Sequence, residues 1–266
     1  MAKYALDNAW ERARRRLSLL ENYLDPMTQR RLAALGVNQG WRVLEVGGGG
    51  GSIAQWLCRQ VGARGHVTAT DIDIRFLQEI HENNFEAAAH DITAEELPEG
   101  KFDLVHTRWL LHHLPDPKRA IERMIAALRP GGWLLLEEVD FFPVQTSTSP
   151  LYIDFMLALT GTVVATSGRD CLWARVLPAL VSEQGLADVD GEGDLALLRG
   201  GSPMAELFQL TGEQMRHKII SSAALPAERF DAGLALLDDP KFWAFAGAGI
   251  AVWGRRPNSS RNLPST

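Results

Sequence analysis

Five consecutive glycines, Gly47–Gly51, stand between the apolar run Trp41–Val46 and the helix-forming run Ser52–Val61. Ordering five glycines costs much backbone entropy and gives no side chain to pack. Such a turn makes sense where a ligand must approach the backbone closely. A buried strand that ends in a glycine turn and runs straight into a helix is the first unit of a doubly wound α/β sheet. In that architecture ligands bind at the carboxyl ends of the strands.

The chain downstream repeats the pattern. Strands are expected at His66–Thr70, Phe85–Ala89, Phe102–Thr107 and Trp133–Val139. Helices are expected at Ile74–Glu82 and Pro117–Leu128, the second one ended by Arg129-Pro130-Gly131-Gly132. Strands alternating with helices imply a mostly parallel sheet covered on both faces. Upstream, Leu6, Trp10, Ala13, Leu17, Leu20 and Leu24 share one helical face. Asp25-Pro26 reads as the end of that helix and the cap of a second one, which stops near Gly36. Arg12, Arg14, Arg15 and Arg16 are read as a solvated helix face, with an anion-binding patch as the alternative. After Asp140 the pattern changes. Residues 150–184 are mostly helical, a short strand follows at Ala187–Gly191, helices at Ser202–Ser221 and Pro226–Leu237, and a last strand at Ala244–Trp253. The flanks are read as a cap, because neither offers an obvious core of its own. The end of the chain, rich in Pro, Ser and Asn, is expected to fray.

With 266 residues, 46% hydrophobic and 23% charged, disorder and fibrous repeats are excluded. The net charge of −6 argues against a protein that wraps nucleic acid or an anionic membrane. Cys58 and Cys171 are too few and too far apart for a disulfide framework or a zinc site. The arginine-rich N-terminus lacks the apolar stretch of a signal peptide, and Phe242–Trp253 is too short to span a bilayer. A soluble, cytoplasmic protein is the expectation.

The chemistry is sharpest at three strand tips. Gly47 and Gly49 fit a dinucleotide fingerprint, but its third position is Ser52, and Glu45 lies two residues before the first glycine. Asp71 ends the second strand, where a carboxylate can accept both hydroxyls of a ribose. His90-Asp91-Ile92 ends the third, where an acid can accept from an adenine amine while the isoleucine lies against the ring. NAD enzymes do not usually need that third acid.

Residues 41–139 resemble the class I S-adenosylmethionine-dependent methyltransferases of the small-molecule type. The matching stretches are WRVLEVGGGGGSIAQWL, ATDID, AAHDI, FDLVHTRWLLHHLPDP and LRPGGWLLLEEVDF, in the family's order and spacing. The resemblance implies a seven-stranded, mostly parallel Rossmann-like sheet with N-terminal cap helices, a helical insertion after strand five and an antiparallel last strand. It implies a cap at residues 1–36, an S-adenosylmethionine-binding domain at 37–256 with a lid at about 142–184, and a tail at 257–266. It implies that Glu45, Gly47, Gly48 and Gly49 hold the methionine portion. Asp71 and Ile72 would take the ribose and adenine, and His90, Asp91 and Ile92 the adenine. Thr107 and Arg108, with His106 before them, would line the sulfonium side, and Arg108 is a candidate partner for the methionine carboxylate. The run of glycines is longer than the family's usual turn, which implies a more mobile loop when empty.

The remaining features carry less. His113 and His217 are candidate bases, although packing or surface positions account for them as well. Asp188, Asp190, Glu192 and Asp194 alternate on a strand without the spacing of a calcium loop and read as solvated acids. Phe141, Phe142, Tyr152, Phe155 and Met156 are candidate lid contacts to a substrate, with core packing an equal alternative. The implied function is methyl transfer from S-adenosylmethionine to a small organic acceptor. No metal, nucleic acid or membrane partner is implied, and a homodimer is compatible with the reading. Three alternatives stay open: an NAD-dependent oxidoreductase, a cofactor-binding protein with a different reaction such as cyclisation, and a non-catalytic binding module.

Overall fold

The computed structural model describes residues 6–168 and 171–258. Its centre is a seven-stranded sheet. The strands are β1 (Arg42–Val46), β2 (His66–Asp71), β3 (Phe85–Ala89), β4 (Phe102–Arg108), β5 (Leu128–Asp140), β6 (Ala187–Arg199) and β7 (Trp243–Arg255). Their order across the sheet is β3-β2-β1-β4-β5-β7-β6. β1 to β5 pair in parallel and β7 runs antiparallel to both neighbours. The chain thus reverses direction of winding between β1 and β4, the point where such sheets open a crevice. Among the described residues no helix is long and apolar enough to cross a membrane.

The flanking helices are α1 (Ala13–Ala34), α2 (Ser52–Val61), α3 (Pro117–Ala127), α4 (Pro150–Val164), α5 (Leu177–Ser182), α6 (Pro203–Ser221) and α7 (Ala227–Leu236). Four of the expected elements are placed differently. The two N-terminal helices are one: α1 runs through Pro26 without a break. A proline inside a helix costs about 3 kcal/mol through its missing N–H and its clash with the preceding turn. Side chains on both sides of Pro26 offset that cost, because Leu24 and Leu32 are buried and Asp25, Thr28 and Arg31 each bond across to the body of the sheet domain. Ile74–Glu82 is no α-helix but a 3₁₀ turn at Leu77–Glu79, and Leu77 and Ile80, three residues apart, are buried. Asp73 accepts the Arg75 backbone amide and starts a tight turn there instead of a helix. Arg129–Gly132 belongs to β5: Phe102 pairs with Leu128, and the next pair is Leu104 with Trp133, so the segment is a bulge. The strand expected at Ala187–Gly191 extends to Arg199 and edges the sheet beside β7. Of the tail at 257–266 that is expected to fray, residues 259–266 lie outside the described residues.

Three apolar clusters hold the fold. Two cover the faces of the sheet, one under α2 and one under α3. The third contradicts the expectation of flanks without a core. It is built from α4, α6, α7 and the ends of β5 to β7, and Leu6 and Leu19 join it. Tyr152, Phe155 and Phe230 are among its fully buried side chains.

Charges pin α1 to this body. Arg31 Nη1 donates to Glu137 Oε1 at 2.5 Å, both side chains nearly sealed from solvent. Thr28 Oγ1 donates to Glu137 Oε2 at 2.7 Å, and His106 Nε2 lies 3.0 Å from the same oxygen. Burial alone would raise the Glu137 carboxyl, but the His106 bond and charge, the Arg31 charge and Thr28 pull it down to about 2. Arg31 also reaches Glu192 and Asp194 on β6. These two acids are therefore ion-paired rather than merely solvated. The solvated reading of the arginine cluster fails for Arg16, which is buried. Arg12, Arg14 and Arg15 are exposed and pair with Glu213, Glu79 and Glu206.

Removing one member of a buried pair strands the other charge, at a cost of roughly 3–5 kcal/mol. Arg31→Met is expected to lower the unfolding free energy by about that much, read by urea denaturation. A loss below about 1 kcal/mol, the range of exposed pairs, would contradict the buried network.

Candidate active site

The tips of β1, β2, β3 and β4 open into one cavity of about 160 Å³. Of the residues named above for the cofactor, all but Thr107 and His106 line it. Thr107 is buried and spends its hydroxyl on the Val46 carbonyl at 2.7 Å, bracing β4 against β1. His113 also lines the cavity, while His217 lies on α6 outside it.

The glycine turn forms the floor. Gly47, Gly49 and Gly51 have φ of 75°, 55° and 88°, a region that side chains with a Cβ rarely adopt. At Gly51 an added Cβ would fall 2.6 Å from Ile80, and at Gly48 3.0 Å from Leu77. At Gly49 only Leu17 comes within 4 Å, at 3.9 Å, so the backbone there faces open space.

Acids stand around this floor. Glu45 is buried, and its Oε2 has no hydrogen-bond partner. Burial pushes its carboxyl up to about 8; the Arg108 charge opposes the shift, while Asp25 and Glu21 add to it. Asp71 accepts the Gly49 and Asp73 amides, each at 3.0 Å. Burial raises its carboxyl and those amides counter the shift. Asp91 accepts from the amide and hydroxyl of Thr93, at 2.9 and 2.5 Å. The hydroxyl, followed by the amide and against some burial, lowers its carboxyl.

The roof is not legible in the sequence as such. Leu17, Leu20 and Glu21 of α1 and Asn8 before it close the cavity from above. Asp25 accepts from Ser52 Oγ and from Arg108 Nη1, both at 2.9 Å, and Glu21 Oε1 accepts the Ser52 amide at 3.3 Å. Arg108 is thus tied to the cap helix. The apolar face of α1 shows that it packs, but nothing local in a sequence says against which strand tips. Trp109 carries no sequence signal either. It follows β4 with φ of 53°, unusual for a bulky residue, and donates its amide to the Glu137 carbonyl at 2.8 Å. Backbone strain of this kind persists only where surroundings over-determine it. Sequence reasoning misses Glu138 as well; it is buried, accepts the Leu111 amide at 2.5 Å and lies 2.6 Å from His112 Nδ1.

The candidate lid residues are divided. Phe141 borders cavities behind the site, Phe142 is exposed under the Arg175 guanidinium, and Tyr152, Phe155 and Met156 are sealed in the core. Tyr152 donates its hydroxyl to the Phe245 carbonyl at 2.9 Å. A crevice at a switch point, with a glycine floor and acids at successive strand tips, defines a nucleoside-binding α/β protein.

Comparison with known proteins narrows the class. Residues 8–160, more than half the chain, match the methyltransferase domain family, and the chain belongs to it, among the class I S-adenosylmethionine-dependent methyltransferases. Methyltransferase str3 of Strobilurus tenacellus is 31% identical over 141 residues, 52% of this chain and 49% of that protein. The ubiquinone/menaquinone biosynthesis C-methyltransferase UbiE of Vibrio parahaemolyticus is 33% identical over 145 residues, 50% of this chain and 56% of its own length. The chain therefore spans about half the length of the curated relatives it matches. Among solved structures, YcgJ of Bacillus subtilis superposes with a TM-score of 0.59 at 17% identity, covering 87% of this chain and 98% of that one. Phosphoethanolamine N-methyltransferase 2 of Haemonchus contortus, in complex with S-adenosylhomocysteine, gives 0.52 at 16% identity over 91% and 53% of the chains. These two likenesses are of fold.

The family's cofactor is S-adenosylmethionine, and the residues present fit it. A buried carboxylate with an unsatisfied oxygen calls for a cation, and the cofactor carries an ammonium group. The open backbone at Gly49 admits close approach. At neutral pH Glu45 holds a proton that such a cation must displace, since its carboxyl titrates near 8. S-adenosylhomocysteine, which keeps the ammonium, is expected to release protons on binding at pH 7, with affinity rising between pH 6 and 8. Calorimetry in buffers of different ionisation enthalpy reads this, and Glu45→Gln should abolish it. Heats independent of buffer in the wild type would contradict the assignment.

Proposed function

We propose that the protein transfers a methyl group from S-adenosylmethionine to a small organic acceptor, with Glu45, Gly47–Gly49, Asp71 and Asp91 as the cofactor cradle. The observation that carries this reading is the unpartnered buried carboxylate of Glu45 among the glycine turn and the two strand-tip acids. S-adenosylmethionine brings its methyl group already activated on a sulfonium, so the protein's work is binding, aiming and keeping water out.

Each residue's part follows from its surroundings. Glu45 pairs with the ammonium group. Asp71, already fixed by two backbone amides, offers its remaining acceptor capacity to the ribose hydroxyls. Ile72, 55% exposed at the rim, supplies an apolar face to the adenine, and His90, Asp91 and Ile92 border the same end. Arg108 is engaged with Asp25 and Thr28, so its first duty is to tie α1 to β4. Thr107 supports the strand tip from below. The α1 roof excludes water, which protects an activated methyl group from hydrolysis. Residues 6–36, the described part of the segment 1–36, act as a cap over a domain at 37–256.

Of the two candidate bases, His113 and His217, His113 is the one at the cavity wall. Burial, the adjacent His112 and the Arg16 charge hold its ring well below the usual histidine range, so it is neutral. Its ring lies 3.9 Å from that of His112, which Glu138 fixes. A hydroxyl acceptor needs such a base, whereas a carbon or amine nucleophile need not.

Incubation with methyl-labelled S-adenosylmethionine and a panel of phenols, amines and apolar acids should yield labelled product and S-adenosylhomocysteine. Tight cofactor binding without turnover on any acceptor would favour a binding module or a different reaction. Charge-assisted hydrogen bonds contribute about 1.5–3 kcal/mol each, so Asp71→Ala should weaken S-adenosylhomocysteine binding at least tenfold by calorimetry. Unchanged affinity would remove the ribose assignment. Hydrogen exchange of the α1 amides should slow when S-adenosylhomocysteine is added, and equal exchange would contradict the cap.

A further inference from the structure

A second cavity, of about 90 Å³, lies behind the first, between α1, α4 and α6. The two share Leu17, Leu20, Trp109 and His113. Its walls are otherwise mostly aliphatic and aromatic. The hydroxyls of Thr160 and Thr211 on its wall are spent on carbonyls of their own helices, at 2.7 and 2.8 Å. Among the described residues that line it, Arg16 carries the single full charge.

Arg16 is 3% exposed, and its Nε and Nη2 have no hydrogen-bond partner. A guanidinium cannot shed its charge by losing a proton. An unpaired buried charge is among the costliest arrangements in a protein. The other arginines of α1 avoid it. Arg15, the preceding residue, presents Nε and Nη2 to Glu206 as a fork, with bonds of 2.8 and 2.7 Å to the two carboxylate oxygens. The same two nitrogens are the ones left open on Arg16, and that edge of the group matches a carboxylate bidentately. No acid of the described chain bonds to them.

We propose that this second cavity is the acceptor site and that it takes an apolar carboxylic acid, whose carboxylate forms the missing fork with Arg16. The inference rests on the methyl-transfer reading for the word acceptor. The site itself rests on Arg16 and the apolar walls. An acid seated there places its apolar body against Trp109 and His113, which are common to both cavities. The neutral ring of His113 then stands beside the acid, at the boundary that the two cavities share. Arg16 anchors the acceptor, and it is a specificity-determining group rather than a participant in the transfer.

The test compares two probes of one shape, 4-phenylbutyrate and 4-phenylbutan-1-ol, by calorimetry on the full chain saturated with S-adenosylhomocysteine. The wild type is expected to bind the acid at least tenfold more tightly than the alcohol, a preference that one lost charge-assisted fork can supply. Arg16→Met should bind the two equally. Without ligand, Arg16→Met should also melt at a higher temperature than the wild type, because it removes a charge with no partner, while 4-phenylbutyrate should raise the melting temperature of the wild type alone. Equal affinities in the wild type, an acid preference that survives in Arg16→Met, or no binding of either probe would overturn the proposal. Failure of S-adenosylhomocysteine to bind would count against the methyl-transfer reading instead, and the same probe comparison without it would still decide the carboxylate site.

Discussion

The site depends on a set of buried charges that lock one helix across the strand tips. Asp25 bridges Ser52 and Arg108, Thr28 and Arg31 meet Glu137, and His106 closes the group from β4. Each charge is tolerable in the interior only because the others are there. Remove the pairing and α1, with a proline in its middle, is left with its apolar contacts alone. The same helix supplies Leu17, Leu20 and Glu21 to the cofactor crevice and Arg16 to the cavity behind it. Roof, crevice and second cavity therefore stand or fall with one polar network.

Two buried carboxylates, on β1 and β5, show how environment divides their work. Glu137 receives hydrogen bonds and a guanidinium, and its carboxyl is drawn down to about 2. Glu45 keeps an unpartnered oxygen and is pushed up to about 8. The first is satisfied within the chain and holds structure. The second keeps an oxygen unpartnered within the chain, where the proposed cofactor would supply an ammonium. His106 lies between them on β4, 3.0 Å from Glu137 and 3.9 Å from Glu45, committed to the structural acid. Arg16 repeats the logic with the opposite sign in the second cavity.

Much of this is legible in the residues. A glycine turn between a strand and a helix makes little physical sense unless a ligand comes close to its backbone, and Asp71 and Asp91 close strands whose apolar runs are plain. The parallel strands follow from the order of the elements, while the antiparallel last strand is implied only by the family resemblance. What escapes shares one cause: long-range partners that override a local signal. Asp25-Pro26 carries every local mark of a helix boundary, yet contacts to Ser52, Arg108 and Glu137 carry the helix through it. The arginines of α1 read as one basic run, and only the packing of α4 and α6 distinguishes Arg16 from its exposed neighbours. Tyr152, Phe155 and Met156 look the same whether they line a lid or fill a core. The bulge at Arg129–Gly132 has the composition of a turn and stays within β5 because Leu128 and Trp133 on either side of it pair with β4 and its own backbone exchanges bonds with Arg256.

The central claim is that the strand tips and the unpartnered Glu45 carboxylate receive the amino-acid end of an adenosyl cofactor. A crystal structure of the full chain grown with S-adenosylhomocysteine addresses it most directly. The ligand's ammonium is expected within hydrogen-bond distance of Glu45, its ribose hydroxyls on Asp71 and its adenine beside Asp91 and Ile92. Density for the ligand outside this crevice, or inside it with the ammonium turned away from Glu45, would contradict the account.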